Sequence, residues 1–463
     1  MPNISGVLNI GKNALLTQQK AIDVTGSNIS NVNTPGYSRQ RVNMLQSAPV
    51  QSGTSVLNTG VYADKQIERL HDQFLEAQIS DEQQNLGRWE SQAKALERVE
   101  IIFDETSGYG LNQAMSEFWN AWQDLVNNAG GHLERMSLAA KSEHLANTFQ
   151  SIDADLAQMQ NDLDISIQGA VGQINRLASD IASLNVQISA AEAGGYGAND
   201  LQDQRDLLMK QLSEMIDTES FYDNNGYLTI SVGGGRPLVE AGSSWSLTTN
   251  PNAASLQDIF WTASDGTQVD ITGRIEGGKL KGWLEVRDVA IADYNTRLDA
   301  LANTLSSQIN GLHTAGIDLN GVLGQDFFVN GTDAASFAFN PTINSDPDLI
   351  AAAGPLQGVP GGNSNAVAIA NLQHAATMGG TTFDDYYNSL VSDVGGAVQA
   401  STVRRNHQAE LMVLLESYRE EVSGVNLDEE MINLVKFQHA YDAAANLITT
   451  VDEMMSTIIN MVR

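Results

Sequence analysis

Apolar positions along the chain follow a helical period at both ends. Over residues 4–32 they recur at a 4,3 spacing, and Leu8, Leu15, Ile22 and Ile29 stand seven apart. Gly11, Gln18 and Thr25 dilute this seam, and Asn3 suits its N-cap. Thr34-Pro35-Gly36-Tyr37 stops it, because Pro35 fixes its own φ, biases Thr34 away from helix, and Gly36 permits φ > 0. The far end mirrors the first. Leu427, Leu434, Tyr441, Ile448, Met455 and Val462 are seven apart, with Phe437, Ala444, Val451 and Ile458 between them. Ser423-Gly424 breaks the preceding segment, Asn426 can cap, and Asp428, Glu429 and Glu430 load the first turn with negative charge. A helix over 427–462 is about 54 Å long.

Between these ends the helical period continues over 145–191, with one four-for-three slip at Leu163→Ile167. Segments 66–103, 111–128, 199–217, 283–313 and 383–422 also read as helices. The period changes at residue 218. Asn225-Gly226 and Asp265-Gly266 lie between β-prone runs and predict type I′ hairpins. Residues 316–363 are rich in Gly, Asn, Asp and Pro and predict a short loop-rich insertion. The fold class expected is mainly α with a β insertion: elongated, with terminal helices paired as a coiled coil, a long antiparallel helical bundle and a small inserted β unit. The domains expected are a terminal coiled coil (1–36 and 425–463), an extended connector (37–65), a helical bundle (66–217 and 283–424) and a β unit within it (218–282).

Charge narrows the partners. The chain has 56 acidic and 25 basic residues, a net −31, which disfavours nucleic acid and anionic membrane surfaces. Cysteine is absent, so disulfides and thiolate metal sites are excluded. No cleaved signal peptide is visible and no apolar run reaches ~18 residues, so membrane insertion is not expected. The seven histidines form neither His-x-x-x-His nor His-Glu-x-x-His, and are expected singly on the surface. Gly233-Gly234-Gly235-Arg236-Pro237 lacks the Lys-Ser/Thr of a phosphate loop and reads as a hairpin turn. Asp223-Asn224-Asn225-Gly226 lacks the closing Glu of a calcium loop. Asp384-Asp385 is one of many acidic pairs, and Arg404-Arg405 reads as a solvated helix face. No catalytic residue, cofactor or metal is therefore expected, and the chain reads as a structural protein. A secreted hydrolase using paired carboxylates and a coiled-coil adhesin are the alternatives outside that class. The two seams could be ordinary core stripes, but each sits at an extreme end behind a turn. They are expected to become fully stable only when packed on copies of the chain or on neighbours.

Several stretches resemble the bacterial flagellar axial proteins. ALLTQQKAIDVTGSNISNVNTPGYSRQRV carries a heptad helix, an Asn-rich end and a Gly-aromatic turn. The turn motif Asn33, Thr34, Pro35, Gly36, Tyr37, Arg39 and Gln40 is similar to the hook-associated protein 1 family, the hook–filament junction proteins. SGVNLDEEM at 423–431, GVYADKQIERLHDQFL at 60–75 and NDLQDQRDLLMKQLSE at 199–214 fit the same family. Larger members carry an outer β domain for which only residues 316–363 are available here. The resemblance implies assembly on the distal end of the hook, joining it to the filament. It implies as partners copies of the chain, hook protein and the next hook-associated junction protein. It also implies a cytoplasmic chaperone at the C-terminal region and export through the flagellar type III apparatus to an extracellular position. The two seams would carry assembly, and Arg39 and Gln40 would open the connector. Another axial component, a rod or hook protein, is the alternative within the class.

Overall fold

The computed structural model describes residues 4–46, 50–52, 55–57, 60–105, 110–195, 197–329 and 333–461. It is 66% helical. The predicted cap Asn3 and the last seam residue Val462 lie outside the described residues.

Helix α1 (Ile4–Ser30) packs along α11 (Leu427–Met461). The pair is antiparallel: Asn28 of α1 bonds Glu430 in the first turn of α11, while Gly11 meets Ile448. A Cβ on Gly11 would stand 2.8 Å from Ile448 Cγ1, so this glycine allows the helices to approach closely. The buried face of α1 is made of Gly11, Thr17, Ala21, Val24, Thr25 and Asn28. That corrects the heptad reading in detail. Leu8 is exposed, and Leu15, Ile22 and Ile29 are half-buried on the flank of the contact. Small and polar residues are buried against α11, β1 and β4, and large apolar ones are left at the edge.

The connector expected as extended over 37–65 is built of strands paired into a ribbon that runs on to Arg69. Strands β1 (Gln40–Gln46) and β4 (Val61–Arg69) pair antiparallel from Gln40↔Arg69 to Gln46↔Val61, with a bulge between Val42 and Met44. The short β2 (Val50–Ser52) and β3 (Ser55–Leu57) pair between them. Pairing satisfies backbone groups that a lone extended chain leaves to water. The helix expected from residue 66 instead starts at α2 (Gln73–Ile102), where the Asp72 side chain accepts from the amides of Phe74 and Leu75.

The rod of the molecule is helical. It comprises α2, α3 (Leu111–Asn127), α4 (His132–Ala193), α5 (Asn199–Met215), α6 (Gly278–Glu285), α7 (Ile291–His313) and α10 (Phe383–Ser423). α4 runs 62 residues, about 93 Å. Its predicted stripe from Leu145 to Ile188 is buried, and the stripe extends back through Leu138. At the predicted slip, between Leu163 and Ile167, Asp164 is buried and pairs with the fully buried Arg287. Arg287 lies in a π-helical stretch, Val286–Ala290, that joins α6 to α7. Such a stretch leaves a carbonyl unpaired, and the Arg287 carbonyl accepts from Gln160 Nε2 at 3.0 Å. The apolar core divides at this level, with Leu163 and Val286 on one side and Ile167 and Leu284 on the other.

The β unit packs its inner face on α4, α5 and α6. One sheet has the order β5-β6-β7-β8 and the other β11-β10-β9. The strands are β5 (Glu219–Tyr222), β6 (Leu228–Val232), β7 (Arg236–Glu240), β8 (Ser243–Ser244), β9 (Ser246–Pro251), β10 (Gln257–Thr262) and β11 (Gln268–Asp270). The hairpins stand where predicted, but their turns are not type I′. At both Asn225-Gly226 and Asp265-Gly266 only the glycine has positive φ, and the amide of Gly226 bonds the carbonyl of Asp223. That is a type I turn closed by a left-handed glycine. Gly233, Gly234 and Gly235 form the β6–β7 turn, all at positive φ.

Residues 316–363 hold more packed structure than a loop-rich insertion suggests. They contain β12 (Phe328–Val329), β13 (Ala338–Phe339) and α8 (Pro341–Ser345), and α9 (Ser364–Ala370) follows. Phe327, Phe328, Phe337 and Phe339 are buried against Trp119 and Trp122 of α3 and Phe149 of α4. His313 is fully buried here, contrary to the surface position expected for it. Its Nε2 accepts from the amide of Ala351, so Nδ1 donates to the carbonyl of Gln325.

Candidate assembly interface

Two features concern assembly: a polar hub at the neck of the molecule and the apolar surface of α11. The hub begins with the turn that ends α1. The amide of Thr34 bonds the carbonyl of Asn31, and the amide of Tyr37 bonds that of Thr34. Pro35 followed by Gly36 at φ 79° is the type II pattern. A Cβ on Gly36 would lie 3.3 Å from Leu207 Cβ, so the turn sits against α5. Asn33, Thr34 and Pro35 are exposed. The chain reverses and delivers Tyr37, Ser38, Arg39 and Gln40 beneath α1.

Asn28 is the centre of the hub. Its Oδ1 accepts from Tyr37 OH (2.9 Å) and the amide of Gln40 (3.0 Å). Its Nδ2 donates to the carbonyl of Gln40 (2.8 Å) and to Glu430 Oε2 (3.1 Å). Glu430 is 3% exposed and also receives Arg39, at 2.7 Å from Nη2 and 2.8 Å from Nε. Arg39 reaches Glu429 as well, and its amide bonds the carbonyl of Ser423. Gln40 Nε2 donates to Asp200, and the amide of Ser38 donates to Asp203. Arg69, at the end of β4, binds Asp203 (2.8 Å) and Asp206 (2.7 Å). Five elements (α1, β1, β4, α5 and α11) therefore meet through side chains satisfied at both ends.

The electrostatics agree with this closure. Burial pushes the Asp203 carboxyl up, opposed by the Ser38 amide and Arg69. Burial works against the Arg69 charge, but Asp206 and Asp203 outweigh it and hold its pKa above the ordinary value. Burial raises the Tyr37 phenol and lowers His71. Below the hub, Glu76 of α2 bonds Lys210 of α5 and Arg419 of α10. The sequence reading gave Asn28, Glu430 and the acidic face of α5 no part in such a hub. Asp200, Asp203 and Asp206, at three-residue steps, were the available signal.

α11 is covered on one side only. Val451 and Ala444 are buried, while Leu434, Phe437 and Ile448 are half-buried. Leu427, Tyr441, Met455 and Ile458 remain exposed, so the predicted seam is only partly enclosed within one chain. Off the seam, Met431 (60%), Ile432 (68%), Val435, Leu447, Met454, Ile459 and Met461 are exposed. Among the described residues no group of three or more His, Cys, Asp or Glu is placed to hold a metal, and no helix is long and apolar enough to cross a membrane.

Comparison with known proteins matches residues 96–328 to the flagellar hook-associated protein FlgK helical domain. Residues 416–461 match the flagellar basal body rod FlgEFG protein C-terminal region, and residues 8–37 the flagella basal body rod protein family. These last two segments cover most of the terminal helices and part of the hub. The chain is 30% identical to flagellar hook-associated protein 1 of Bacillus subtilis over 98% of this chain and 97% of that one. It is 27% identical to flagellar hook-associated protein 1 of Escherichia coli over 99% of this chain and all of that one. The latter alignment runs over 548 positions against 463 residues here, so the relative has stretches this chain lacks. The flagellar hook junction protein FlgK from Burkholderia pseudomallei shares the fold, with TM-score 0.66 at 17% identity over 75% of this chain and all of that one. With the family's helical domain along its rod and axial-protein segments at both ends, the chain belongs to the flagellar hook-associated protein 1 family of structural flagellar proteins.

Proposed function

We propose that this chain sits on the distal end of the hook and joins it to the filament through its terminal helices. The observation that carries this reading is the exposed apolar face of α11, from Met431 to Met461. So many exposed large apolar side chains on one helix mark an interaction site. The α11 face has room for copies of the chain, for hook protein below and for the next junction protein above. Before assembly the same face needs cover, which a chaperone at the C-terminal region supplies in the cytoplasm. Export through the flagellar type III apparatus then places the chain outside the cell.

In this account the seam residues have two roles. Val451, Ile448, Phe437 and Leu434 hold α1 to α11, while Leu427, Tyr441, Met455 and Ile458 meet neighbours, with Leu8, Leu15, Ile22 and Ile29 along the rim. The hub sets the angle of the terminal pair to the rod. The role is structural, with no catalytic step.

Ile432→Asp together with Met454→Asp tests the reading in cells lacking the native chain. Both sites are exposed, so the fold should survive, but charges on the docking face would be buried unpaired. The expected result is export without filaments. Normal filaments would contradict the proposal.

A further inference from the structure

We propose that neighbouring copies also touch along their rods, the α2–α10 face of one resting on the acidic β unit of the next. The inference rests on the reading that copies stand side by side, and adds a second, charge-selected surface away from the terminal helices.

The two surfaces belong to different layers of the rod. The β unit packs on α4, α5 and α6; α2 packs on α5 and α6; α10 packs on α2. They also stand at one level. Arg88 of α2 pairs with Glu285 at the end of α6, and the adjacent Leu284 belongs to the core beneath the β unit.

Around Trp89 the α2–α10 face runs against the charge of the molecule: residues 88–98 and 403–405 hold five basic and two acidic side chains. The doublet Arg404-Arg405 does more than line a solvated helix. Arg404 stacks on the Trp89 ring at 4.7 Å, and Arg88 lies over the same ring at 4.5 Å. Arg88 is neutralised by Glu285 and Arg405 by Glu97, but Arg404 has no carboxylate partner among the described residues. Val403 beside it is 61% exposed. Tryptophan and arginine next to an exposed aliphatic side chain form the composition of an interface hot spot.

The β unit has the opposite character. Residues 219–276 contain seven acidic and two basic side chains. Asp265 and Asp270, on the exposed β10–β11 hairpin, cap turns at the amides of Thr267 and Thr272 and pair with no lysine or arginine among the described residues. β11 is an edge strand. A basic, aromatic patch on one face and an acidic edge on the other give a head-to-tail contact. Repeated, such a contact builds a ring or a helical array. Between chains of net charge −31 it supplies attraction where repulsion is otherwise the rule.

Charge exchange tests this directly. Arg404→Glu and Asp270→Lys should each lower the amount of chain held on isolated hooks severalfold, and the double variant should recover most of it. Unchanged retention in both single variants, or no recovery in the double, would overturn the proposal. Because Asp270 also caps a turn, a second measurement avoids it. The chain has no cysteine, so Val403→Cys with Gln268→Cys provides the only thiols. A short bismaleimide should join hook-bound copies of this double variant into a ladder, and should give at most dimers with either single one. Bound chain that stays monomeric would refute the contact. If the wild-type chain failed to bind hooks, the hook reading would fall first, and cross-linking of the concentrated soluble chain would decide the contact by itself.

Discussion

At the scale of single residues the neck depends on Asn28 and Glu430. Asn28→Ala would strip hydrogen bonds from both the amide and the carbonyl of Gln40 and from the buried Glu430. Unsatisfied buried groups cost about 1–3 kcal/mol each. The loss should be local: amide exchange at Gln40 and over 427–431 should speed strongly, with the rod unchanged. Gly11 controls the other end of the helix pair. Gly11→Val should force Ile448 away and loosen α1 from α11, seen as faster exchange in both. A third residue concerns pH. Burial pushes the Asp217 carboxyl up to about 6, against backbone amides of Glu276 and Gly277 that favour its charge. The folded form thus binds this proton more tightly than the unfolded chain. The resulting penalty is absent below the ordinary carboxylate pKa of 3.8, grows as pH rises, and is complete above about 6. Asp217→Asn should raise stability at pH 7.5 by up to about 3 kcal/mol and should leave it unchanged near pH 3.5, as measured by thermal melts at both values.

At the scale of elements, α4 and α11 differ in what encloses them. α4 is lined on one side by a continuous buried stripe, whereas α11 has three buried residues, Glu430, Ala444 and Val451. In the soluble monomer, exchange should be slow through the centre of α4 and fast from Val451 onward in α11. Uniformly slow exchange over 427–461 would show that the pair needs no neighbour. The same contrast explains what could be read in advance. α4 was legible because a long apolar stripe at a regular step has one interpretation, and even its slip at Leu163 marked a real event, the Asp164–Arg287 pair. The terminal seams were legible as helices, but not by face. Leu8 and Leu15 dominate the pattern, yet Gly11, Thr17 and Ala21 are the buried positions, and Gly11 lies directly against Ile448. The β1–β4 ribbon was not legible. Fourteen residues separate its arms, and they carry no clear alternation of apolar and polar positions. The hub was half legible: the Asn-rich end of α1 and the acidic start of α11 stood out, but a separation of 402 positions hides the bond between Asn28 and Glu430. His313 was misplaced because its polar partners, Gln325 O and Ala351 N, belong to a segment whose glycines and prolines suggested loop.

At the scale of the whole molecule, an acidic chain ends in a helix pair that leaves many large apolar side chains of α11 exposed. Two forces then oppose each other in assembly. In the proposed assembly, apolar burial on α11 would draw copies together, while a net charge of −31 would drive them apart. Screening of exposed charges grows with salt, so assembly of the wild-type chain should be weaker at low ionic strength. Arg404→Glu should steepen that dependence, and pelleting assays across a salt series would record both. The central claim is that the terminal pair seats this chain on the hook. It is tested most directly by mixing the full chain, and the chain lacking 427–463, with isolated hooks and locating the bound protein by labelling. The account predicts label at one distal tip for the full chain and none for the shortened one. Label along the sides of the hook, or tip binding that survives removal of α11, would contradict it.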